Sequence, residues 1–415
     1  MTANRREGDT ILMPKKMIFR FLCRLFFVLF LFPLVAGAER EEIKNPESLV
    51  KGLDHLFSEM HSLQQNPLNL KIISEVLDFV AHPKSRQGIY REDNRFNAPS
   101  AYHHFDIQTN LTRILRYAYN PAIPSYAFAP SSVRVSSWKS TRGQTKPRLW
   151  EHLPAPERPI ILKNTEIEEN TPDLFTGSYY RYEMDRTLIL CRHKGHNVFI
   201  SLSKQTKPSG VGKKGLRLGR DEDWDYLYSG REGLNITGMG WVKSYVYDSA
   251  SVTVFYELDK EKGLVRCGVF RWLRAGWAGL NVVNGRHIRK GLKRYARDFK
   301  AIMEMPSLPR PDKMAEVFSS LSRLCKPELK VKIRHYLDGV SNRHETNKAF
   351  SKKGFADQFR SEKYLQQMTR EEMVALLVLE TMKYMLDRTG YLDKALLPYV
   401  GYIGKQTHTS KDRGS

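Results

Sequence analysis

The chain has 415 residues, of which 67 are lysine or arginine and 45 are aspartate or glutamate, so its formal net charge is +22. Hydrophobic residues make up 41% of the sequence and charged residues 27%, which is ordinary for a globular protein and excludes collagen-like, coiled-coil and wholly disordered chains. The length exceeds the usual size of a single hydrophobic core, so we expect two or three subdomains.

Residues 1–38 have the pattern of a secretory signal peptide. Four cations precede an apolar run over residues 25–35, and Ala36, Gly37 and Ala38 supply the small residues of a cleavage site. The run is shorter than the roughly 20 apolar residues that span a bilayer, which argues against a retained anchor. We therefore predict cleavage before Glu39 and export to the periplasm or the extracellular space.

Export separates this basic protein from intracellular nucleic acid, so we expect no nucleic-acid partner. Anionic lipid headgroups, acidic envelope polymers or an acidic protein are better candidates, although the charge could serve solubility alone. Three cysteines follow the predicted signal, at Cys191, Cys267 and Cys325, and an odd number leaves at least one thiol unpaired within the chain. A bond between Cys191 and Cys267 across a sheet stays open.

Helical periodicity dominates the N-terminal region, residues 39–120. Residues 46–63 and 68–82 predict two packed amphipathic helices, and the same spacing predicts a third helix around residues 105–119. Residues 121–176 are rich in proline, which is incompatible with long helices and central strands, so this segment is predicted to be a connector laid over the surface.

Strand-like patterns begin at residue 177. Runs rich in aromatic and β-branched residues cover residues 180–190, 198–203, 241–247, 251–258 and 264–273, and short turns at 193–195 and 259–263 predict hairpins. A long amphipathic helix is predicted over residues 282–305. The sequence thus predicts an α+β fold in which a central antiparallel sheet is gripped by this helix over residues 177–305.

Residues 306–405 return to helical patterns. Asp312 and Pro327 are suited to helix starts, and Thr369 with Glu372 has the spacing of a capping box. A polar segment over residues 341–354 is predicted to be a loop, and residues 406–415 a disordered tail.

The order of elements over residues 177–305 resembles the helix-grip, or START-like, class of lipid-binding folds. The resemblance implies an incompletely filled apolar space between sheet and helix that binds a hydrophobic ligand. Aromatic residues of two strands and the apolar stripe of the helix are predicted to line that space, namely Trp241, Tyr245, Tyr247, Phe255, Ile288, Leu292, Tyr295 and Phe299. The alternative is that these residues complete an ordinary core.

Cations on the long helix and in a glycine-rich segment before it are candidates for contact with an anionic surface. They are Lys290, Lys293, Arg294, Arg297, Lys213 and Lys214. The alternative is a solvated basic face.

No motif assigns a catalytic, metal or cofactor site. Cys191, His193 and His196 form half of a zinc motif without a second half, and the segment 209–215 lacks the glycine and hydroxyl positions of a P-loop. An acidic cluster at residues 221–225 could contain paired carboxylates. The leading hypothesis is an exported envelope protein that binds a lipid or other amphiphile without catalysis or cofactor. An envelope hydrolase acting on glycan or lipid and a basic scaffold protein are the alternatives.

Overall fold

A computed structural model describes residues 45–61, 68–82, 93, 95–139, 148–174, 176–236, 240–345, 350 and 355–397. The predicted signal peptide and C-terminal tail lie outside these residues, as does most of the predicted loop over 341–354. No helix within the described ranges has the length and apolar character that crossing a bilayer requires.

Thirteen strands occur in the described residues. They are β1 (Ser100–Ile107), β2 (Val133–Lys139), β3 (Ile160–Asn170), β4 (Ser178–Tyr179), β5 (Arg181–His193), β6 (His196–Gln205), β7 (Lys213–Arg217), β8 (Tyr226–Glu232), β9 (Leu234–Ile236), β10 (Gly240–Val242), β11 (Ser244–Asp259), β12 (Leu264–Trp277) and β13 (Leu280–Asn281). The central sheet is antiparallel and has the order β1-β12-β11-β6-β5-β3-β2, with β13 paired to β12. Strands β4, β7 and β8 form a second sheet, and β9 pairs with β10.

The described helices surround this sheet. They are α1 (Glu47–His61), α2 (Leu70–Ala81), α3 (Leu111–Ala118), α4 (Gly285–Met303), α5 (Pro311–Arg323), α6 (Lys326–Arg343), α7 (Phe355–Arg360), α8 (Glu362–Gln367) and α9 (Arg370–Met385). The predicted capping box is present at the start of α9, because the Thr369 hydroxyl accepts from the Glu372 amide and the Glu372 carboxylate accepts from the Thr369 amide. The α+β fold with a central antiparallel sheet and flanking helices is confirmed.

Both predicted hairpins form in the central sheet. His193 of β5 pairs with His196 of β6, and Lys194 and Gly195 between them take the left-handed φ values, 48° and 85°, that a tight hairpin turn needs. Strands β11 and β12 form the second hairpin, and β11 also pairs with β6.

Strands β1, β2 and β3 of the central sheet form where the sequence predicted no strand. Strand β1 occupies the start of the predicted helix around residues 105–119, and α3 begins only at Leu111, after Asn110 caps it. Strands β2 and β3 belong to the proline-rich segment that was predicted to be a connector. Its prolines flank the strands rather than interrupt them, since Pro159 directly precedes β3 and Pro172 follows it.

Each face of the sheet covers a separate part of the core. Helices α1 and α2 pack on the back face, where buried residues such as Ile200, Val254 and Trp272 point. The front face, with Phe199 and Phe255, faces α3, α4 and the C-terminal helices. The sheet is therefore the middle layer of a three-layer arrangement.

The cysteines are placed so that no disulfide joins Cys191 to Cys267. Cys191 of β5 lies in the back core and Cys267 of β12 in the front core, and two strands separate them. Both are free and buried, while Cys325 is free and exposed.

Candidate functional site

A cavity of about 2040 Å³ lies on the front face of the central sheet. Strands β3, β5, β6, β11 and β12 form its floor, α4 covers it, and residues 118–129 and the start of α9 form its walls. Most of its surface is apolar. Pockets for drug-sized ligands reach about 1000 Å³, so this cavity has room for a larger molecule.

Helix α4 places part of the predicted stripe in the cavity. Asn284 caps the helix by accepting from the His287 amide at 3.1 Å, and Ile288, Leu292, Tyr295 and Phe299 then line the cavity along one face. Gly291 lies in the same lining, and a Cβ placed on it would meet no atom within 4 Å. Gly291 is exposed at the border of the cavity, so a larger side chain has room at this position.

The predicted aromatic residues of the strands are not in this lining. Phe255 is fully buried at one end of the floor, where its ring centroid lies 5.6 Å from that of Phe299. Trp241 is 46% exposed on β10, under the guanidinium of Arg231. Tyr245 and Tyr247 stack on each other outside the cavity.

A β-bulge explains the difference at Tyr245 and Tyr247. The pairing of β11 with β12 shifts between Val246 and Asp248, so the residues that face the cavity change from Ser244 and Val246 to Ser251 and Thr253. One extra residue inverts the alternation of a strand. Odd-numbered residues after the bulge, such as Phe255, therefore lie on the front face, whereas Tyr245 and Tyr247 before the bulge lie on the opposite face.

A row of polar side chains crosses the cavity floor. Arg271, Ser251, Ser203 and Arg186 are neighbours in register on four adjacent strands, from β12 to β5. The hydroxyls of Ser203 and Ser251 are 2.7 Å apart. The floor is thus polar across its centre, while aromatic and aliphatic residues lie at its ends.

Two glutamates of β3 lie beside this row. Arg186 donates to the Glu166 carboxylate at 2.7 Å and lies 3.6 Å from Glu168, and the Tyr182 hydroxyl donates to Glu168 at 2.9 Å. Burial, and next the charge of Glu166, raise the pKa of Glu168. Although burial opposes the charged form of Arg186, the two glutamates raise its pKa.

Arg271 is in a different electrostatic position from Arg186. It forms no ion pair with any residue of the described chain, although its charge acts through space to lower the pKa values of Glu168 and Tyr182.

The charged floor residues Glu166, Glu168, Arg186 and Arg271 were not predicted. The i, i+2 spacing of the glutamates was a usable signal, but only if β3 is recognised as a strand.

A groove rich in cations adjoins the cavity. Its charged residues are Arg217, Arg220, Lys290, Lys293, Arg294, Arg297, Asp221 and Glu222, and we call it the cationic groove. Leu174, Lys290 and Arg294 border both spaces. Of the predicted anionic-surface residues, Lys213 and Lys214 lie apart from the groove, on β7.

The acidic residues that the sequence offered for catalysis are held by cations. Asp221 accepts from Arg294 at 2.8 Å, and Asp225 accepts from Lys383 at 2.5 Å. Within the described ranges, no three His, Cys, Asp or Glu side chains are grouped in a way that could hold a metal ion.

Known families and curated proteins were compared with the chain. No family model matches it. No curated protein matches it either.

Proposed function

We propose that this protein is exported and binds an amphiphile in the cavity between the central sheet and α4. One observation carries the proposal: a space of about 2040 Å³, mostly apolar, between a sheet and a helix. A well-packed interior has few voids larger than a water molecule, so a space of this size favours an occupant over a solvent-filled gap. The signal-peptide pattern of residues 1–38 supports export.

The lining fits an amphiphile better than a wholly apolar ligand. Leu188, Leu273 and Ile288 offer contact to hydrocarbon, whereas Ser251 and Thr253 offer hydroxyls on the floor between apolar zones. A few polar groups in an apolar pocket fix the orientation of a ligand. The ligand should therefore combine hydrocarbon with at least one polar group.

Native mass spectrometry of protein purified without detergent tests this proposal. We expect a chain that begins at Glu39 and carries the mass of one amphiphile. Gly291→Phe should lose that mass because the new ring occupies the cavity, whereas the matched control Gly291→Ala should keep it because a methyl group displaces little. Ligand-free spectra of both wild-type protein and Gly291→Ala would contradict the proposal.

A second candidate function, hydrolysis of a glycan or lipid, is favoured by the two glutamates of the floor. Glu166 is held by Arg186, while burial and Glu166 raise the pKa of Glu168. Acid and base roles are commonly divided between carboxyls in such unequal environments. If the protein turns over p-nitrophenyl esters or glycosides, Glu168→Gln should abolish turnover and Arg286→Gln, on the exposed side of α4, should not.

A further inference from the structure

We propose that the amphiphile is anionic and that its charged group binds Arg271 on the cavity floor. The inference rests on the proposed function and names the class of its ligand. Three observations support it. Arg271 faces the cavity, its neighbours leave its charge incompletely balanced, and the cations of the cationic groove are already paired or exposed to water.

Arg271 faces the cavity. Its neighbours on the same strand, Val269 and Leu273, belong to the lining with it, and so does Ser251, its registered partner on β11. The Tyr182 hydroxyl is within hydrogen-bonding reach of its guanidinium. A ligand in the cavity can therefore meet the guanidinium together with two hydroxyl groups.

The charge of Arg271 is incompletely balanced by the protein. The other floor arginine, Arg186, donates to the Glu166 carboxylate at 2.7 Å, whereas Arg271 forms no ion pair with any described residue. The charge of Arg271 acts on Glu168 of β3, but burial and the charge of Glu166 favour the neutral form of that carboxyl. A partly buried charge without a counter-ion is costly, and an anionic ligand group would remove that cost.

The cations of the cationic groove are weaker candidates for binding the charged group of the ligand. Arg294 and Arg297 share Asp221, at 2.8 and 3.1 Å. Lys293 is exposed, so water already solvates its charge and an ion pair there would contribute little. A guanidinium on the floor of an apolar cavity can instead bind a carboxylate or phosphate through paired hydrogen bonds.

Paired ligands of equal chain length test the assignment. Tetradecanoic acid and tetradecan-1-ol are titrated into the purified protein by isothermal calorimetry, beside Arg271→Gln and the matched control Arg286→Gln. We expect the wild type and Arg286→Gln to prefer the acid by about tenfold or more, since charge-assisted bonds are the strong ones. Arg271→Gln should lose this preference and keep its affinity for the alcohol within about twofold.

Each other outcome has a separate meaning. If folded Arg271→Gln binds both ligands and still prefers the acid as the wild type does, the inference is overturned and the proposed function remains. The same conclusion follows if only Lys290→Gln loses the preference for the acid. Binding of neither ligand by the wild type contradicts the proposed function itself. If Arg271→Gln does not fold, Arg271→Lys is measured in its place. This variant should prefer the acid less strongly than the wild type does, and a preference equal to that of the wild type would overturn the inference.

A displacement experiment distinguishes a free anion from an amphiphile. Inorganic phosphate alone, at the concentration of tetradecanoic acid that saturates the protein, should not displace the acid, because it lacks hydrocarbon to bury. Displacement by phosphate would overturn the assignment of an anion attached to a chain.

Discussion

Asp221 ties α4 to the segment that precedes β8. Its carboxylate accepts from Arg294 at 2.8 Å, from Arg297 at 3.1 Å and from the Tyr226 hydroxyl at 2.8 Å. Burial alone would raise the pKa of Asp221, but the charge of Arg294 and these hydrogen bonds outweigh it, so the pKa is lowered. The ionised form is thus bound more strongly in the folded state.

This lowered pKa predicts how stability depends on pH. The contribution of Asp221 is fully present above its unfolded pKa, near 4, and is lost as the pH falls through the folded value. Asp221→Asn should therefore cost about 2 kcal/mol at pH 7 and much less at pH 3, measured by urea unfolding. The control Asp223→Asn removes an exposed ion pair with Arg220, and the asparagine oxygen can still accept from the Arg220 amide, so it should cost much less than Asp221→Asn at pH 7. Equal losses at both pH values would contradict this account.

The thiols of Cys191, Cys267 and Cys325 should differ in their reactivity. Burial raises the pKa of Cys191 to about 12 and that of Cys267 well above its usual value, whereas Cys325 is exposed at the start of α6. Of these three, only Cys325 should react with a maleimide in the native protein, and Cys325→Ser should remove that label. All three should react in urea. A disulfide-linked peptide containing Cys191 and Cys267, found by mass spectrometry, would refute their placement in opposite cores.

At the scale of elements, two glycines within helices have opposite surroundings. A Cβ on Gly291 of α4 would meet open space, whereas a Cβ on Gly339 of α6 would lie 2.6 Å from the Tyr391 carbonyl oxygen. Gly291→Ala should therefore stabilise the protein by about 0.5–1 kcal/mol, because alanine loses less backbone entropy in a helix. Gly339→Ala should destabilise it. Urea midpoints measure both, and a destabilised Gly291→Ala would show that α4 has no open space beside this residue.

Elements with local signals could be predicted from the sequence, and elements with distant partners could not. The β5–β6 hairpin follows from a two-residue turn, and α4 from its apolar stripe. The last three residues of β1 belong to a run with helical spacing, yet the whole of β1 pairs with β12, where Ser100 lies opposite Trp272. Its conformation is fixed by a neighbour far along the chain, and such tertiary pairing overrides local propensity.

The same limit applied to the site. The helix residues Ile288, Leu292, Tyr295 and Phe299 were assigned to the face that lines the cavity, because one helical period fixes them all. Tyr245 and Tyr247 were assigned to the wrong face, because the bulge before Asp248 leaves no pattern that the sequence displays. Arg271 is not predicted as a site residue, because the register of four strands is needed to bring it into one row with Arg186.

For the whole molecule, the cavity is a consequence of layering. Helices α1 and α2 fill the back face of the sheet, whereas the front face is covered by elements from three parts of the chain, which meet around the cavity instead of filling it. The polar row of the floor, Arg271, Ser251, Ser203 and Arg186, lies in the lining of this cavity. We therefore infer that the front layer leaves an unfilled polar centre in an apolar cavity.

A crystal structure of the mature protein, purified without detergent, tests that claim most directly. We expect elongated electron density between α4 and the sheet floor, in contact with Ile288 and Leu292 and ending in a polar group at Arg271. A front layer that has closed onto the floor, or a cavity that holds only ordered water in protein retaining its native stability, would contradict it.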